Sequence, residues 1–167
     1  MKKIALIYSF RSNKTAAVAK KIKSLWEDKI HELDIETLTV EQFVEFENYI
    51  LGVPTWFDGE LPSYWDEFVP AMEDMDLTGR KFAIFGNGDQ VNYPENFGDA
   101  VGIMAEIIES LGGTIIGYTS SKGYVFEKSQ SLVGERFCGL LLDFENQPKQ
   151  NEERVVSWIE SLKKEFQ

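Results

Sequence analysis

The chain has 167 residues, 43% of them hydrophobic, with 28 acidic side chains against 17 basic ones and a net charge of −11. That length suits one domain spanning 1–167 with a single sizeable core, and the apolar content excludes a disordered chain. The acidity argues against nucleic acid and anionic membranes as partners and suits a basic protein, while a lone cysteine, Cys138, excludes an internal disulfide and a cysteine-rich metal site.

The opening "MKKIALIYSF" places two lysines before an apolar stretch, as a signal peptide does. Yet "IALIY" is short, Arg11 follows soon after, and no small-residue cleavage site appears. A buried strand over 3–9 is the better reading, which places the protein in the cytoplasm. No apolar run reaches the ~18–20 residues that cross a membrane. Next, "KTAAVAKKIKSLWED" (14–28) puts Ala17, Val18, Ile22, Leu25 and Trp26 on one helical face, with lysines opposite. "LDIETLTV" (33–40) alternates enough for a strand near the sheet edge, and a short helix is expected at 40–46.

"YILGV" (49–53), "KFAIFGNG" (81–88), "TIIGY" (114–118) and "FCGLLLDF" (137–144) are nearly continuous apolar runs too short for helices. That pattern marks strands buried on both faces, as in a parallel sheet. Cys138, inside the last run, reads as a buried inert thiol. Between the runs, "SYWDEFVPAMEDM" starts a helix after Pro62, which Pro70 should kink or shorten. "NFGDAVGIMAEIIESLGG" ends on a glycine pair suited to a C-cap, and "NEERVVSWIESLKKEF" closes the chain with an apolar face of Val155, Val156, Trp158, Ile159 and Leu162. The order predicts an α/β fold, a doubly wound five-stranded parallel sheet with helices on both faces. The polar segment 119–136 lacks helical period and reads as a long surface excursion inserted into the last strand.

In such a sheet, ligands bind where loops leave the carboxyl ends of the strands. The loop "SFRSNKT" carries hydroxyls at Ser9, Ser12 and Thr15 around the start of a helix, which suits an anion; taken alone it slightly favours plain capping by Ser12 or Asn13. It is no Walker A motif, since the glycines and the Lys-Ser/Thr ending are missing. In "PTWFDGE" (54–60), Trp56 and Phe57 occupy what should be a turn. In "GNGDQVNYPENFGDA", Gly86 and Gly88 lack the third glycine of a dinucleotide fingerprint, but Tyr93 is a second aromatic in a polar loop. Two flat rings on neighbouring loops could sandwich a flat ligand.

Together, "PTWFDGELPSYWDEF", "GNGDQVNYPENFGDAVG" and "LLLDFENQ" resemble a flavodoxin of the long-chain group, over the whole chain and in order. The resemblance implies a flavodoxin-like fold with the 119–136 insertion in the last strand. It also implies a non-covalent FMN and low-potential, single-electron shuttling between redox proteins, with no catalytic residue and no metal. Trp56 and Tyr93 would stack on opposite faces of the isoalloxazine. Asp89 would lie at the pyrimidine edge and Glu145 near the ribityl hydroxyls. The implied cofactor-binding set is Ser9, Phe10, Arg11, Ser12, Asn13, Lys14 and Thr15 in the phosphate loop; Pro54, Thr55, Trp56, Phe57, Asp58 and Gly59 in the tryptophan loop; and Gly86, Asn87, Gly88, Asp89, Tyr93, Asn96, Phe97 and Glu145. The family's phosphate loop usually reads Thr/Ser-x-Thr-Gly-x-Thr. Here "FRSNKT" (10–15) puts Phe10 in place of a hydroxyl and Asn13 in place of glycine, with Arg11 and Lys14 adding compensating charge.

The Phe57–Asp58 peptide would supply a carbonyl to flavin N5 by flipping, with positive φ falling on Asp58. The implied partners are a basic reductase as donor and low-potential acceptor enzymes, met by a monomer. Glu60, Asp66, Glu67, Glu95, Asp99, Glu127 and Glu145 are expected to gather around the flavin edge. The rival is an FMN-dependent quinone or nitro reductase on the same fold, which needs an open hydride-transfer pocket. A phospho-receiver domain is excluded, because Ser9-Phe10 and Val53-Pro54 stand where its aspartates belong.

Overall fold

Alternate residues of each apolar run serve opposite faces of one parallel sheet. The computed structural model describes residues 3–26 and 30–167. Within them β1 (Ile4–Tyr8), β2 (Ile30–Asp34), β3 (Asn48–Gly52), β4 (Lys81–Asn87) and β5 (Thr114–Ile116) form a parallel sheet in the order β2-β1-β3-β4-β5. Ala5, Ile7, Tyr49, Leu51, Phe82 and Ile84 point to one core, and Ile4, Leu6, Ile50, Ala83 and Phe85 to the other. This two-sided burial is why the runs are continuous rather than alternating.

The first core is covered by α2 (Val40–Phe43), α3 (Ser63–Glu73) and α4 (Asp99–Ser110) through Phe43, Trp65, Phe68, Met104 and Ile108. The second is covered by α1 (Lys14–Trp26) and α5 (Asn151–Glu165) through Ile22, Trp26, Trp158 and Leu162. The buried indoles keep hydrogen bonds, Trp65 to the Gly52 carbonyl (2.9 Å) and Trp158 to that of Gly117 (2.8 Å). On α1 the buried alanine is Ala19, whereas the expected Ala17 is exposed; residues 27 and 28 of that expected helix lie outside the described residues.

Two boundaries differ from the sequence reading. The second strand is Ile30–Asp34 rather than 33–40. Asp34 ends it, its side chain accepting from the Glu36 N–H (3.1 Å) and its carbonyl from the Thr37 N–H (3.1 Å). Thr39 and Gln42 then form a reciprocal capping box that starts α2, which stops at Phe43 rather than 46. α3 begins at Ser63, directly after Pro62 as its N-cap, where the sequence placed its start. The helix runs through Pro70 to Glu73, because Pro70 is exposed and water can serve the carbonyl it leaves unpaired.

β9 (Leu140–Leu142) pairs with the upper half of β4, as β5 pairs with its lower half. Between them, β6 (Thr119–Ser120), β7 (Leu132–Val133) and β8 (Arg136–Phe137) make a small antiparallel sheet. The segment is more than a surface excursion. Tyr124 and Phe126 pack on Phe97 with ring centroids 5.7 and 5.4 Å apart, and Ser131 is fully buried. The Ser131 hydroxyl donates to the Gly98 carbonyl and accepts from the Gly102 N–H. A Cβ at Gly102 would stand 2.2 Å from the Gln130 carbonyl oxygen, so only glycine lets the segment lie this close to α4. Burial pushes the Cys138 thiol up to about 11. No helix among the described residues is long and apolar enough to cross a membrane.

Candidate functional site

The carboxyl ends of β1, β3, β4 and β9 open on one edge of the sheet, and the loops leaving them enclose two cavities. One, of about 560 Å³, is lined by Thr55, Trp56, Phe57, Gly88, Asp89, Tyr93, Asn96, Phe144 and Glu145. The other, of about 480 Å³, is lined by Ser9, Arg11, Ser12, Asn13, Thr15, Glu36, Pro54, Ser63 and Tyr64. Lys14, Trp56 and Asn87 line both, so the two meet end to end.

A three-residue hairpin holds Trp56. Its N–H donates to the Glu60 carbonyl (2.9 Å), and the Glu60 N–H donates back (2.7 Å). Tyr64 meets the indole edge-on at 5.4 Å, leaving Trp56 37% exposed. Positive φ falls on Phe57 (49°) and Gly59 (95°) rather than on Asp58. The Trp56–Glu60 pairing leaves three residues to reverse the chain, and Phe57, 73% exposed, absorbs a left-handed conformation that costs a bulky residue about 1 kcal/mol. Gly59 is buried, and a Cβ there would stand 2.7 Å from an Asp99 carboxylate oxygen.

Tyr93, 48% exposed, rides on a loop organised by two carboxylates. Burial alone would raise Asp89, but hydrogen bonds from the Asn92 N–H and side chain, the Asn146 side chain and the Val91 N–H outweigh it and hold the carboxyl below its usual range. Asp143 is fully buried. It accepts from the Gln90 N–H (3.1 Å) and amide (2.8 Å), the Glu145 N–H (3.1 Å) and the Asn146 N–H (2.9 Å). There too burial is outweighed, by the Asn146 and Gln90 donors, and the carboxyl stays low. Gln90 in turn accepts from the Val125 N–H at 2.6 Å. One buried acid thus ties three loops together.

At the other end, Ser12 donates both its N–H (3.1 Å) and its hydroxyl (2.6 Å) to the Ser9 carbonyl, closing the turn that enters α1. The first intrahelical bond runs from Ala17 to Asn13 (3.1 Å). Among the described residues no side chain accepts from the N–H groups of Lys14, Thr15 or Ala16, so capping by Ser12 or Asn13 does not satisfy them. Lys14 pairs with Glu145 across the first cavity. Arg11 pairs with Glu36, whose carboxyl is held down at about 2 by Arg11 and then by the Ser9 hydroxyl. The charges expected to assist an anion are already matched. The Asn87 Oδ1 atom, where the cavities join, is buried with no hydrogen-bond partner among the described residues. A ligand hydroxyl there would satisfy it.

Five residues of the implied set line neither cavity. Phe97 is fully buried among Tyr124, Phe126 and Phe137. Gly86 lies inside β4, where a Cβ would stand 2.3 Å from the Val53 carbonyl oxygen. Phe10 tilts against Tyr8 at 5.0 Å, with its N–H turned to Asp34 (3.4 Å). Asp58 and Gly59 complete the hairpin that carries Trp56. Asp99 leaves the acidic rim, since it is buried and accepts from the Gln130 N–H at 2.8 Å. The sequence reading missed Glu36, Tyr64, Phe144 and Asp143; Tyr64 lies inside the quoted "PTWFDGELPSYWDEF" and Phe144 and Asp143 inside "LLLDFENQ", while Glu36 carried no signal.

Residues 6–158 match the family model described as flavodoxin. The chain belongs to the flavodoxin family. It is 39% identical over 166 residues to a flavodoxin of Nostoc sp., covering 99% of this chain and 98% of that one. It is 41% identical over 169 residues to a flavodoxin of Trichodesmium erythraeum, covering 99% of each. Its fold matches the crystal structure of Fusobacterium nucleatum flavodoxin bound to flavin mononucleotide with a TM-score of 0.93, at 32% identity and over 100% of both chains. For this flavodoxin the paired cavities are therefore the place to look for a cofactor.

Proposed function

We propose that this flavodoxin is an FMN-based electron carrier, working as one domain between redox partner proteins. The observation that carries the reading is the junction of an aromatic cavity with an anion-type cavity at Trp56 and the unpartnered Asn87 oxygen. A flavin ring between Trp56 and Tyr93, a ribityl chain beside Asn87 and Glu145, and a phosphate over the start of α1 would use both. Bound FMN supplies the redox chemistry, and the protein supplies binding and electrostatics. Trp56 and Tyr93 would exclude water from the two ring faces. The first-turn N–H groups of α1 would donate to the phosphate. The surrounding acids would oppose added negative charge on a bound flavin and so favour a low potential.

No side chain need act as nucleophile or base in this work. Phe57 and Tyr93 form an exposed apolar rim beside the acidic residues Asp58, Glu60, Glu95 and Glu145. That rim suits transient docking of a basic reductase as donor and of low-potential acceptors, by a monomer in the cytoplasm.

The test is titration of the purified full-length chain with FMN, followed by tryptophan fluorescence and visible absorption. Saturable quenching at one FMN per chain, with a bound-flavin spectrum, supports the reading. A colourless chain whose fluorescence FMN leaves unchanged contradicts it.

A further inference from the structure

The anion end of this site contains an anion of its own. Glu36 sits in the connector between β2 and α2 and lines the same cavity as Ser9, Ser12 and Thr15. Its Oε2 accepts from the Ser9 hydroxyl (2.8 Å) and from Arg11 Nε (2.9 Å), and its Oε1 accepts from the Arg11 terminal nitrogen. Arg11 thus grips one carboxylate with both prongs of its guanidinium, a fork that fits a phosphate equally well. The connector is pinned in place, because Asp34 Oδ1 accepts from the N–H groups of both Phe10 (3.4 Å) and Glu36 (3.1 Å).

The two partners are unequally exposed. The Arg11 side chain is 83% exposed and the Glu36 side chain 21%. An incoming phosphate therefore meets an accessible guanidinium already paired with a more buried carboxylate. Because Arg11 and Ser9 keep Glu36 ionised down to about pH 2, the carboxylate is charged under every working condition.

We propose that Glu36 is the specificity-determining residue of the phosphate end, an internal carboxylate that competes with the cofactor's phosphate for Arg11 and the Ser9 hydroxyl. The inference rests on the FMN reading above. Binding FMN requires Arg11 to exchange Glu36 for the phosphate and the Ser9 hydroxyl to turn with it. The new contacts are offset by the lost pair and by like-charge repulsion across the cavity. Riboflavin has no phosphate and leaves the Arg11–Glu36 pair intact. The margin by which FMN is preferred over riboflavin is therefore set by Glu36, not by the exposed Phe10 that replaces a family hydroxyl.

The test is calorimetry of the full-length chain, freed of flavin, with FMN, riboflavin and inorganic phosphate as separate probes. Glu36→Gln keeps the side chain's size and a hydrogen-bond acceptor for Arg11 while removing the charge. It should tighten FMN roughly three- to tenfold, strengthen inorganic phosphate in parallel, and leave riboflavin unchanged. Adding Arg11→Gln to that variant should return FMN to the wild-type affinity or below. If Glu36→Gln leaves the FMN-to-riboflavin ratio unmoved or lowers it, Glu36 only braces the loop and the inference is overturned. A wild-type chain that binds neither flavin overturns the FMN reading itself and this inference with it.

Discussion

The two ends of the site are built on opposite principles. At the aromatic end, Trp56 and Tyr93 stand partly in solvent on loops fixed from beneath, by the Trp56–Glu60 pairing and by the buried Asp143. Its recognition is by shape, and the buried Asp143 acts at one remove, through the loops it holds. At the anion end, the first turn of α1 offers N–H groups, but its two basic side chains are already paired, Arg11 with Glu36 and Lys14 with Glu145. Recognition there is an exchange of partners. The aromatic end should therefore carry most of the affinity, and the anion end most of the discrimination between flavins.

The sharpest way to break this contrast is to remove what fixes the aromatic loops. Asp143→Ala strips the acceptor from Gln90, Glu145 and Asn146 in a buried position and should destabilise the protein by about 3 kcal/mol. Thermal unfolding would register this as a clear drop in Tm, and an unchanged Tm would mean that the loops are held some other way. Next in size is Trp56→Ala, for which stacking data suggest a loss of about 2 kcal/mol in flavin binding. The loss should be equal for FMN and riboflavin in fluorescence titrations that follow flavin emission, whereas a selective loss for FMN would blur the two ends into one.

A smaller effect concerns the acidic rim. Reversing Glu60 and Glu67 to lysine should slow electron transfer from a basic reductase roughly three- to tenfold at low ionic strength, more than reversing Glu109 and Glu160. Stopped-flow rates that fall equally for both pairs would show that the acidity serves solubility alone. Smallest of all, Phe57→Gly relieves the left-handed conformation at the hairpin tip. It should change stability by under about 1 kcal/mol in denaturant titrations, on the stabilising side if strain outweighs the glycine's chain entropy.

The same contrast explains what could be read in the sequence. Central strands were legible because burial on both sides leaves only apolar residues, as in "IALIY" and "KFAIF". The edge strand was not. In "IHELD" only Ile30 is buried, so it shows no continuous apolar run, while the capping segment after it mimicked alternation. Trp56 and Tyr93 stood out because large aromatics are misplaced in turns unless something covers them. Phe97 and Gly86 looked like site residues only through their neighbours, and packing claims both. Glu36 was invisible because its partners Ser9 and Arg11 lie 27 and 25 positions away. Asp143 was passed over because a buried acid and a surface acid are spelled alike.

The central claim is that FMN held in these cavities passes electrons singly between proteins. Potentiometric titration of the FMN-loaded chain, followed by visible absorption, tests it most directly. The account predicts two well-separated one-electron steps, the second at low potential, with no rapid oxidation of NADPH by the protein alone. A single two-electron step, accompanied by fast NADPH-driven turnover of a quinone or nitro compound, would contradict it and identify a reductase.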